Sequence, residues 1–376
     1  MLRKSRRERN EEVEERVPRK KKKKYIAILC AEIFVAVILL LGVGVYAVGH
    51  NFYRLTNFIS DEEVKKQFDD HNIVDPNEEI DPDAAQGEKI SDDEHNEILK
   101  KYQEFSNAEP VTTDGNVYNI LLIGVDVRAS DGNWAGNSDT MMLLSINYKK
   151  EQISLVSLMR DTYVDIPGIG MRKLNAAHAN GAGPLLIETV TENYKVQVDR
   201  YATVDFNNMI DIIDTFGTIE LTLTDAEAKS ANNSIIEMCT ERDVYSAPYQ
   251  FKKGGTYQCN GVQAVAYARI RKVGNADYER TERQRLVMTK LMEKAKNMSL
   301  TELYAAAEKI LPMVTHNVPE DEVWGILAKS PSILNYKFVK DRIPYDGLYK
   351  VIYVNGQDML VPDWKQTVAK LKETLY

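Results

Sequence analysis

The chain has 376 residues and a formal net charge of −8, so it is long enough for one large domain with appendages but is not basic overall. Its basic side chains are concentrated in a few stretches of the sequence. A local cluster of positive charge on an otherwise acidic protein indicates a specific anionic ligand and argues against nucleic acid binding. The five His residues are scattered, and the sequence contains no zinc-binding spacing.

The N-terminus combines a basic tail with an apolar stretch. Residues 1–24 hold twelve Lys or Arg against five Glu, a local charge of +7, which leaves −15 on the rest of the chain. Residues 25–48 contain Glu32 as their only charged side chain and are long enough to span a bilayer core of about 30 Å. A cleaved signal peptide is the alternative, although its apolar region is usually only about 7 to 15 residues long. Because basic flanks stay in the cytoplasm, we expect a single-pass protein of the cell membrane with a cytoplasmic N-terminus and an extracellular C-terminal domain.

Residues 49–110 are acidic and are interrupted by Pro76, Pro82 and Gly87. We predict an extracellular stalk with helices at 61–70 and 92–105, the second of them capped by Ser91. The segment between these helices has few apolar residues, which is typical of a flexible spacer.

Residues 111–376 alternate the patterns of buried strands and helices. Strands are predicted at 118–125, 140–146, 153–158 and 218–223. Helices are predicted at 184–194, 206–216, 261–266, 280–298, 301–310, 319–329 and 362–375. This alternation predicts an α/β fold, a three-layer α/β/α sandwich on a mixed central sheet, with ligands at the carboxyl ends of strands. Residues 225–255 receive no role.

Two of the three cysteines, Cys239 and Cys259, fall in the external part of the chain, whereas Cys30 lies in the apolar stretch. An even number of cysteines outside the cell favours a disulfide. We therefore predict a bridge between Cys239 and Cys259.

Charged side chains recur where the first three strands of the body begin or end. Asp126 directly follows the first strand, with Arg128 two residues later; Asp139 precedes the second strand, and Arg160 and Asp161 follow the third. Each Asp alone fits an ordinary turn residue. Two carboxylates together suit Mg²⁺, which prefers one or two acids with phosphate oxygens and water. We therefore predict a metal site at Asp126 and Asp139.

Residues 267–285 hold six Lys or Arg side chains. If residues 267–271 are extended, Arg269 and Arg271 point the same way. If the following segment is helical, Arg280, Arg283 and Gln284 share one face. Guanidinium groups bind phosphate oxygens bidentately, so the two clusters predict a phosphate-bearing ligand. The alternative is a solvated helix with surface ion pairs.

Six short strings occur in a fixed order between residues 117 and 298. They are NILLIGVDVR from Asn119, SDTMM from Ser138, LMRDT from Leu158, KLNAAHA from Lys173, YARIR from Tyr267 and RTERQ from Arg280. In this order they resemble the LytR-CpsA-Psr family of bacterial envelope proteins. The basic tail, the single span and the external body are also similar to the layout of that family.

The resemblance implies a phosphotransferase that takes a glycopolymer, such as a teichoic acid or a capsule, from polyprenyl pyrophosphate and passes it to a peptidoglycan hydroxyl. Polyprenyl phosphate is released. Asp126, Asp139, Arg160 and Arg269 would be catalytic, and the two acids would hold Mg²⁺ or Mn²⁺. The pyrophosphate would be bound by Arg128, Arg160, Arg269, Arg271, Arg280, Arg283 and Gln284. A long lipid tail needs an apolar tunnel, and the helices at 184–194, 206–216 and 286–298 have apolar faces that fit such a tunnel or an ordinary core.

Two positions depart from the pattern of the family. Asn137 stands where the family has Arg, so one cation of the pyrophosphate site is missing, and Val125 and Val127 replace serines. These departures leave two alternatives open beside the transferase. One is a non-catalytic envelope regulator that binds a lipid-linked precursor, and the other is a hydrolase that uses water as the acceptor.

Overall fold

The computed structural model describes residues 49–51, 53–68, 86–126, 137–271, 273, 277–333 and 335–376. Within these ranges, side chains are not described at Asp126, Asn137, Asp277, Leu300, Leu327, Ser330 and Pro331. The predicted tail and span, most of the predicted spacer, and Arg128 therefore lie outside the described residues. In the described ranges, no helix combines the length and the apolar character needed to cross a membrane.

A seven-stranded mixed sheet forms the centre of the compact unit Arg54–Tyr376. Its strands are, in spatial order, β1 (Asn57–Phe58), β11 (Thr315–His316), β8 (Arg200–Asp205), β3 (Val117–Asp126), β4 (Asn137–Asn147), β5 (Gln152–Leu158) and β12 (Lys337–Ile343). The three strands β3, β4 and β5 are antiparallel, while β8 runs parallel to β3 and β12 runs parallel to β5. The predicted α/β class with a mixed central sheet is confirmed.

Smaller sheets and helices surround this sheet. The remaining strands are β2 (Glu88–Lys89), β6 (Tyr163–Ile166), β7 (Gly170–Lys173), β9 (Ile219–Leu223), β10 (Gly255–Cys259), β13 (Tyr349–Val354) and β14 (Gln357–Pro362). The helices are α1 (Asp61–Phe68), α2 (Asp92–Ala108), α3 (Asn175–Tyr194), α4 (Phe206–Phe216), α5 (Asp225–Glu241), α6 (Gly261–Ala268), α7 (Asp277–Asn297), α8 (Leu300–Ile310), α9 (Glu320–Ile333) and α10 (Trp364–Leu375). Helix α5 and the approach to β10 account for residues 225–255, which the sequence left without a role.

The side chains of β3 alternate between the two faces of the sheet, as the pleat requires. Leu121 and Val125 are buried in the core that also contains residues of α3 and α10. Leu122 and Gly124 instead line an apolar cavity whose other walls include α4 and α7. Helices therefore lie on both faces of the sheet, and one of these faces encloses a cavity.

Parts of the predicted stalk belong to the folded body. Helix α2 begins with a capping box at Ser91, as predicted, but its Tyr102 is 5% exposed and donates a hydrogen bond of 2.7 Å to Asn193 of α3. Strand β2 pairs with β13, and the N–H of Gly87 donates to Asp358 at 2.9 Å. The predicted boundary between stalk and body at residue 110 is therefore wrong. The acidic segments reach the body through pairings with distant residues, which local composition does not reveal.

The predicted disulfide is also wrong. Cys239 and Cys259 are both free thiols, and both are fully buried in the core formed by α4, α5, α6 and α7. Burial raises the pKa of Cys239, and it raises the pKa of Cys259 to about 12. Both cysteines act here as small apolar side chains, a common use of free cysteine.

Candidate functional site

A polar cleft of about 180 Å³ lies at the edge of the central sheet where β4 begins. Its lining consists of Asp139, Phe206, Ser234, Arg269, Arg271, Arg280 and Gln284. Five of these residues were predicted from the sequence as site residues. The fold brings together residues that are up to 145 positions apart along the chain.

Asp139 lies at a β-bulge. Gly124 pairs with Thr140 and Val125 pairs with Ser138, so Asp139 is the extra residue on β4. Bulges are frequent beside active sites because they re-aim a side chain. Oδ1 of Asp139 accepts a hydrogen bond of 2.7 Å from Arg160, and Oδ2 accepts one of 2.6 Å from Arg271.

The electrostatics of the cleft keep Asp139 ionised. Burial by itself would raise the pKa of this carboxyl group. Arg271, Arg160 and Arg280 together outweigh burial and hold the pKa below its ordinary value. The carboxylate is thus a fixed negative charge among guanidinium groups, poorly suited to take up a proton at neutral pH.

Ion pairs outside the cleft hold Arg160 in position. It follows β5, and its Nε lies 3.5 Å from Oδ2 of Asp161. Oδ1 of Asp161 lies 2.8 Å from the ammonium group of Lys173, at the end of β7. Lys173, Asp161, Arg160 and Asp139 therefore form a row of alternating charges that ends in the cleft.

Arg269 is placed by a helix, so the condition of an extended segment at 267–271 is not met. Helix α6 runs to Ala268, and Arg269 is its C-cap with a right-handed helical backbone. Gly261 lets this helix pack against α4, since a Cβ there would lie 2.1 Å from the carbonyl oxygen of Ile210. The guanidinium of Arg269 lies 4.8 Å from the ring centroid of Phe206 and 3.5 Å from Glu237. Arg269 and Arg271 both reach the cleft, but from the end of a helix and not along one face of a strand.

Helix α7 supplies two side chains to the cleft. Arg280 and Gln284 are one turn apart, as predicted, and are 3% and 9% exposed. The structure does not support the third predicted member of this face. Arg283 lies outside the cleft lining, 2.9 Å from Glu227 and 2.7 Å from Glu279, and also donates to the carbonyl of Ile270. Its guanidinium is therefore engaged within the protein core.

The polar cleft adjoins the apolar cavity. This cavity of about 350 Å³ lies between β3, β4 and β8 on one side and α4, α6, α7 and α8 on the other. Phe206, Arg269 and Gln284 line both spaces. Leu122, Met142 and Val204 line the cavity from the sheet. The site can therefore accept a ligand with an anionic head and an apolar tail.

The second predicted acid is known only by its backbone position. Asp126 ends β3 and pairs with Asn137 of β4, two residues before Asp139. Its side chain and all of Arg128 lie outside the described parts of the structure. Among the residues that the structure does describe, no group of three or more His, Cys, Asp or Glu side chains is arranged to hold a metal ion.

Sequence reasoning missed two residues of the cleft. Ser234 lies on α5, in the segment that received no role, and Phe206 is the first residue of α4. Phe206 had a usable signal, because it stands at the start of a predicted helix beside a predicted strand end. Ser234 had none, because a single Ser on a polar helix face is commonplace.

Comparisons with known proteins agree with this fold. The model of the LytR_cpsA_psr family matches residues 83–375. The polyisoprenyl-teichoic acid–peptidoglycan teichoic acid transferase TagU of Enterococcus faecalis is 30% identical over 255 residues, which is 67% of this chain and 74% of TagU. Biofilm regulatory protein A of Streptococcus mutans is 29% identical over 234 residues, 59% of this chain. The chain spans about half the length of that relative, 54%.

A solved structure gives the same fold. The LytR-CPS2A-psr family protein YwtF (TagT) of Bacillus subtilis, with bound octaprenyl pyrophosphate lipid, superposes with a TM-score of 0.50 at 22% identity, over 70% of this chain and 91% of that one. Since the family model covers most of the sequence and TagU is similar over two thirds of it, the chain belongs to the LytR-CpsA-Psr family.

Proposed function

We propose that this protein is a phosphotransferase that moves a glycopolymer from a polyprenyl-pyrophosphate carrier onto peptidoglycan. The observation that carries the proposal is the junction of the two spaces, since Phe206, Arg269 and Gln284 line both the cationic cleft and the apolar cavity. A polyprenyl pyrophosphate has a matching division into an anionic head and an apolar tail. TagU is named as a transferase of teichoic acid onto peptidoglycan, and YwtF (TagT) has octaprenyl pyrophosphate lipid bound, which supports this substrate class.

The arginines neutralise charge on the pyrophosphate. Arg269, Arg271 and Arg280 line the cleft, and Arg160 reaches it through Asp139. When the acceptor hydroxyl attacks the phosphorus that carries the polymer, the bond from that phosphorus to the bridging oxygen breaks, polyprenyl phosphate leaves, and the proton of the hydroxyl passes to solvent. Negative charge grows on this leaving group, so guanidinium groups that bind it more tightly in the transition state lower the barrier. The chemistry depends mainly on positioning and charge neutralisation, as phosphoryl transfer generally does.

The donor set fits a divalent metal in part. Asp139 is a largely buried, ionised carboxylate with a side chain 14% exposed, and Asp126 ends the neighbouring strand. We propose that these two acids hold Mg²⁺ or Mn²⁺, with phosphate oxygens and water as further ligands. A bound metal would supply positive charge against the pyrophosphate. Each oxygen of Asp139 accepts one hydrogen bond from an arginine, which leaves a further lone pair that a metal could use.

We also propose that residues 25–48 anchor the protein in the cell membrane, with residues 1–24 in the cytoplasm and the folded body outside. The sequence supports this arrangement through the length of the apolar stretch and its basic flank. The carrier would then be within reach in the outer leaflet, and peptidoglycan would be the acceptor beyond it.

A regulator that binds the carrier without transfer is the second candidate. Asn137 in place of the family arginine favours it, since Asn can offer only neutral hydrogen bonds. The S. mutans relative is also named as a regulatory protein. Asp139 favours the transferase, because binding an anion alone is weakened by a carboxylate among the arginines.

Product analysis tests the proposal. The full-length protein in nanodiscs is incubated with a polyprenyl-pyrophosphate saccharide, Mg²⁺ and a peptidoglycan oligomer, and the products are identified by mass. We expect a saccharide–phosphate–peptidoglycan conjugate with the native protein and the Lys290→Gln control, whose side chain lies outside the cleft. We expect none with Asp139→Asn. Free saccharide phosphate would instead establish a hydrolase, and binding without turnover would establish the regulator.

A further inference from the structure

Two apolar side chains are exposed at the N-terminal edge of the folded unit. Leu55 is 43% exposed, and Phe58 of β1 is 41% exposed. Burying the exposed part of such side chains is favourable in water. Strand β1 is held against the central sheet by β11, with Phe58 opposite His316. The position of the two side chains is thus fixed by the main sheet.

The far end of the apolar cavity lies beside the same edge. Ile310 and Val314 line the cavity and flank the short helix Leu311–Met313. Val314 is followed directly by Thr315, which pairs with Asn57 of β1. Neighbouring strands are about 4.8 Å apart, so the cavity wall and the exposed edge are adjacent. We call the surface formed by Leu55, Phe58 and Leu311–Met313 the β1 face.

The cavity is shorter than the tail it is proposed to bind. Its lining along α4 extends from Phe206 at the cleft to Phe216 at the other end. Ten residues of helix rise by about 15 Å. An extended octaprenyl chain is longer than this distance, so the part of the tail beyond the cavity needs an apolar environment at the far end.

The sequence limits where that end can be. The apolar stretch 25–48 ends seven residues before Leu55. Seven extended residues reach at most about 25 Å. With residues 25–48 in the bilayer, Leu55 cannot be farther than this from the outer membrane surface.

We infer that the β1 face rests on the outer leaflet, with Leu55 and Phe58 inserted at its surface and the far end of the cavity directed towards the lipid. The polyprenyl tail then leaves the cavity into the bilayer, and the carrier never exposes its tail to water. The head reaches the cleft at the opposite end. This inference rests on the proposed anchor and carrier, but it concerns the orientation of the body and not the reaction.

Site-directed fluorescence tests the inference. Full-length Cys30→Ser protein, in which Cys239 and Cys259 are buried, receives Leu55→Cys or Phe58→Cys and an environment-sensitive probe on the new thiol. The matched control is Tyr245→Cys, a 77% exposed position in the turn after α5. The proteins are placed in nanodiscs of phosphatidylethanolamine and phosphatidylglycerol that contain a nitroxide-labelled lipid, and quenching by aqueous iodide is measured in parallel.

We expect the lipid nitroxide to quench the probes at 55 and 58 at least about twofold more than the probe at 245, and iodide to show the reverse order. Equal lipid quenching at all three positions would overturn the inference. Shielding of 55 and 58 from both quenchers would also overturn it, in favour of a protein partner on this face. The readout needs no turnover, so failure of the transferase proposal shows in the product analysis and leaves this result unaffected.

Discussion

The ammonium group of Lys173 lies 2.8 Å from Oδ1 of Asp161, and both side chains are largely buried, with 8% and 16% exposure. Asp161 also lies 3.5 Å from Nε of Arg160, whose Nη1 is 2.7 Å from Asp139. Lys173 is outside the cleft lining, yet it neutralises the acid that competes with Asp139 for Arg160. We therefore expect the geometry of the cleft to depend on the Lys173–Asp161 ion pair, which lies outside the cleft lining.

Replacing Lys173 by Met tests this dependence. Asp161 would be left as a largely buried acid without the Lys173 charge and would draw Arg160 away from the cleft. We expect the free energy of unfolding to fall by about 3 kcal/mol. We also expect kcat of the folded fraction to fall by on the order of tenfold or more, because small displacements of positioning groups are costly. Urea unfolding and the transfer rate measure the two effects.

Lys173→Arg is the control, since it retains the charge beside Asp161. It should recover most of the transfer rate that Lys173→Met loses. A full kcat in Lys173→Met would show that Arg160 does not need this support.

Replacing Arg269, which lines the cleft, should reduce the transfer rate, whereas replacing Arg283, which lies outside the cleft lining, should reduce the stability of the fold. Arg269→Gln removes a cation that lines the cleft, so we expect the transfer rate to fall by on the order of 10²–10³ with little change in stability. Arg283→Gln removes the partner of Glu227 and Glu279, so we expect the free energy of unfolding to fall by about 3 kcal/mol. The transfer rate per folded molecule should then change little. Similar losses of transfer in both folded variants would return Arg283 to the list of pyrophosphate ligands.

Filling the cavity should separate tail binding from head binding. Ala202 lines the cavity from β8, and Ala202→Phe would occupy part of its volume of about 350 Å³. We expect at least about tenfold weaker binding of octaprenyl pyrophosphate, since the loss of even a few buried CH₂ groups reaches this size. Binding of inorganic pyrophosphate should stay the same. Calorimetry measures both affinities. Ala202→Ser, which adds little volume, is the control. Unchanged binding of octaprenyl pyrophosphate to Ala202→Phe would show that the tail binds elsewhere.

The two external cysteines should be unreactive in the native protein. The thiolate is the reactive form, and burial raises the pKa of Cys259 to about 12 and raises that of Cys239 as well. At pH 8 both groups are therefore protonated as well as inaccessible. In the Cys30→Ser protein we expect no reaction with a thiol reagent before unfolding and two reactive thiols after unfolding without reductant. Absence of reactive thiols after unfolding would establish the disulfide.

The sequence predicted the central strands because their apolar runs are local signals. Residues 118–125, 140–146 and 153–158 lie within β3, β4 and β5. It also placed Asp139 and Arg160 at the right ends of those strands. The charges that meet in the cleft could be anticipated because strand ends at one sheet edge are neighbours.

Predictions that depended on distant partners were less accurate. The condition of an extended segment at 267–271 is not met, because α6 continues to Ala268 and packs against α4 at Gly261. Arg283 shares the helix face of Arg280 in sequence, but Glu227, 56 residues away, binds it. Strand β2 pairs with β13 across more than 260 residues, which no local pattern in an acidic stalk indicates.

A crystal structure of the protein with octaprenyl pyrophosphate tests the central claim most directly. We expect the oxygens of both phosphate groups within hydrogen-bonding reach of Arg269, Arg271 and Arg280, with the tail running along α4 from Phe206 towards Phe216. A pyrophosphate bound outside the cleft, or a tail that lies on the protein surface while the cavity stays closed, would contradict it.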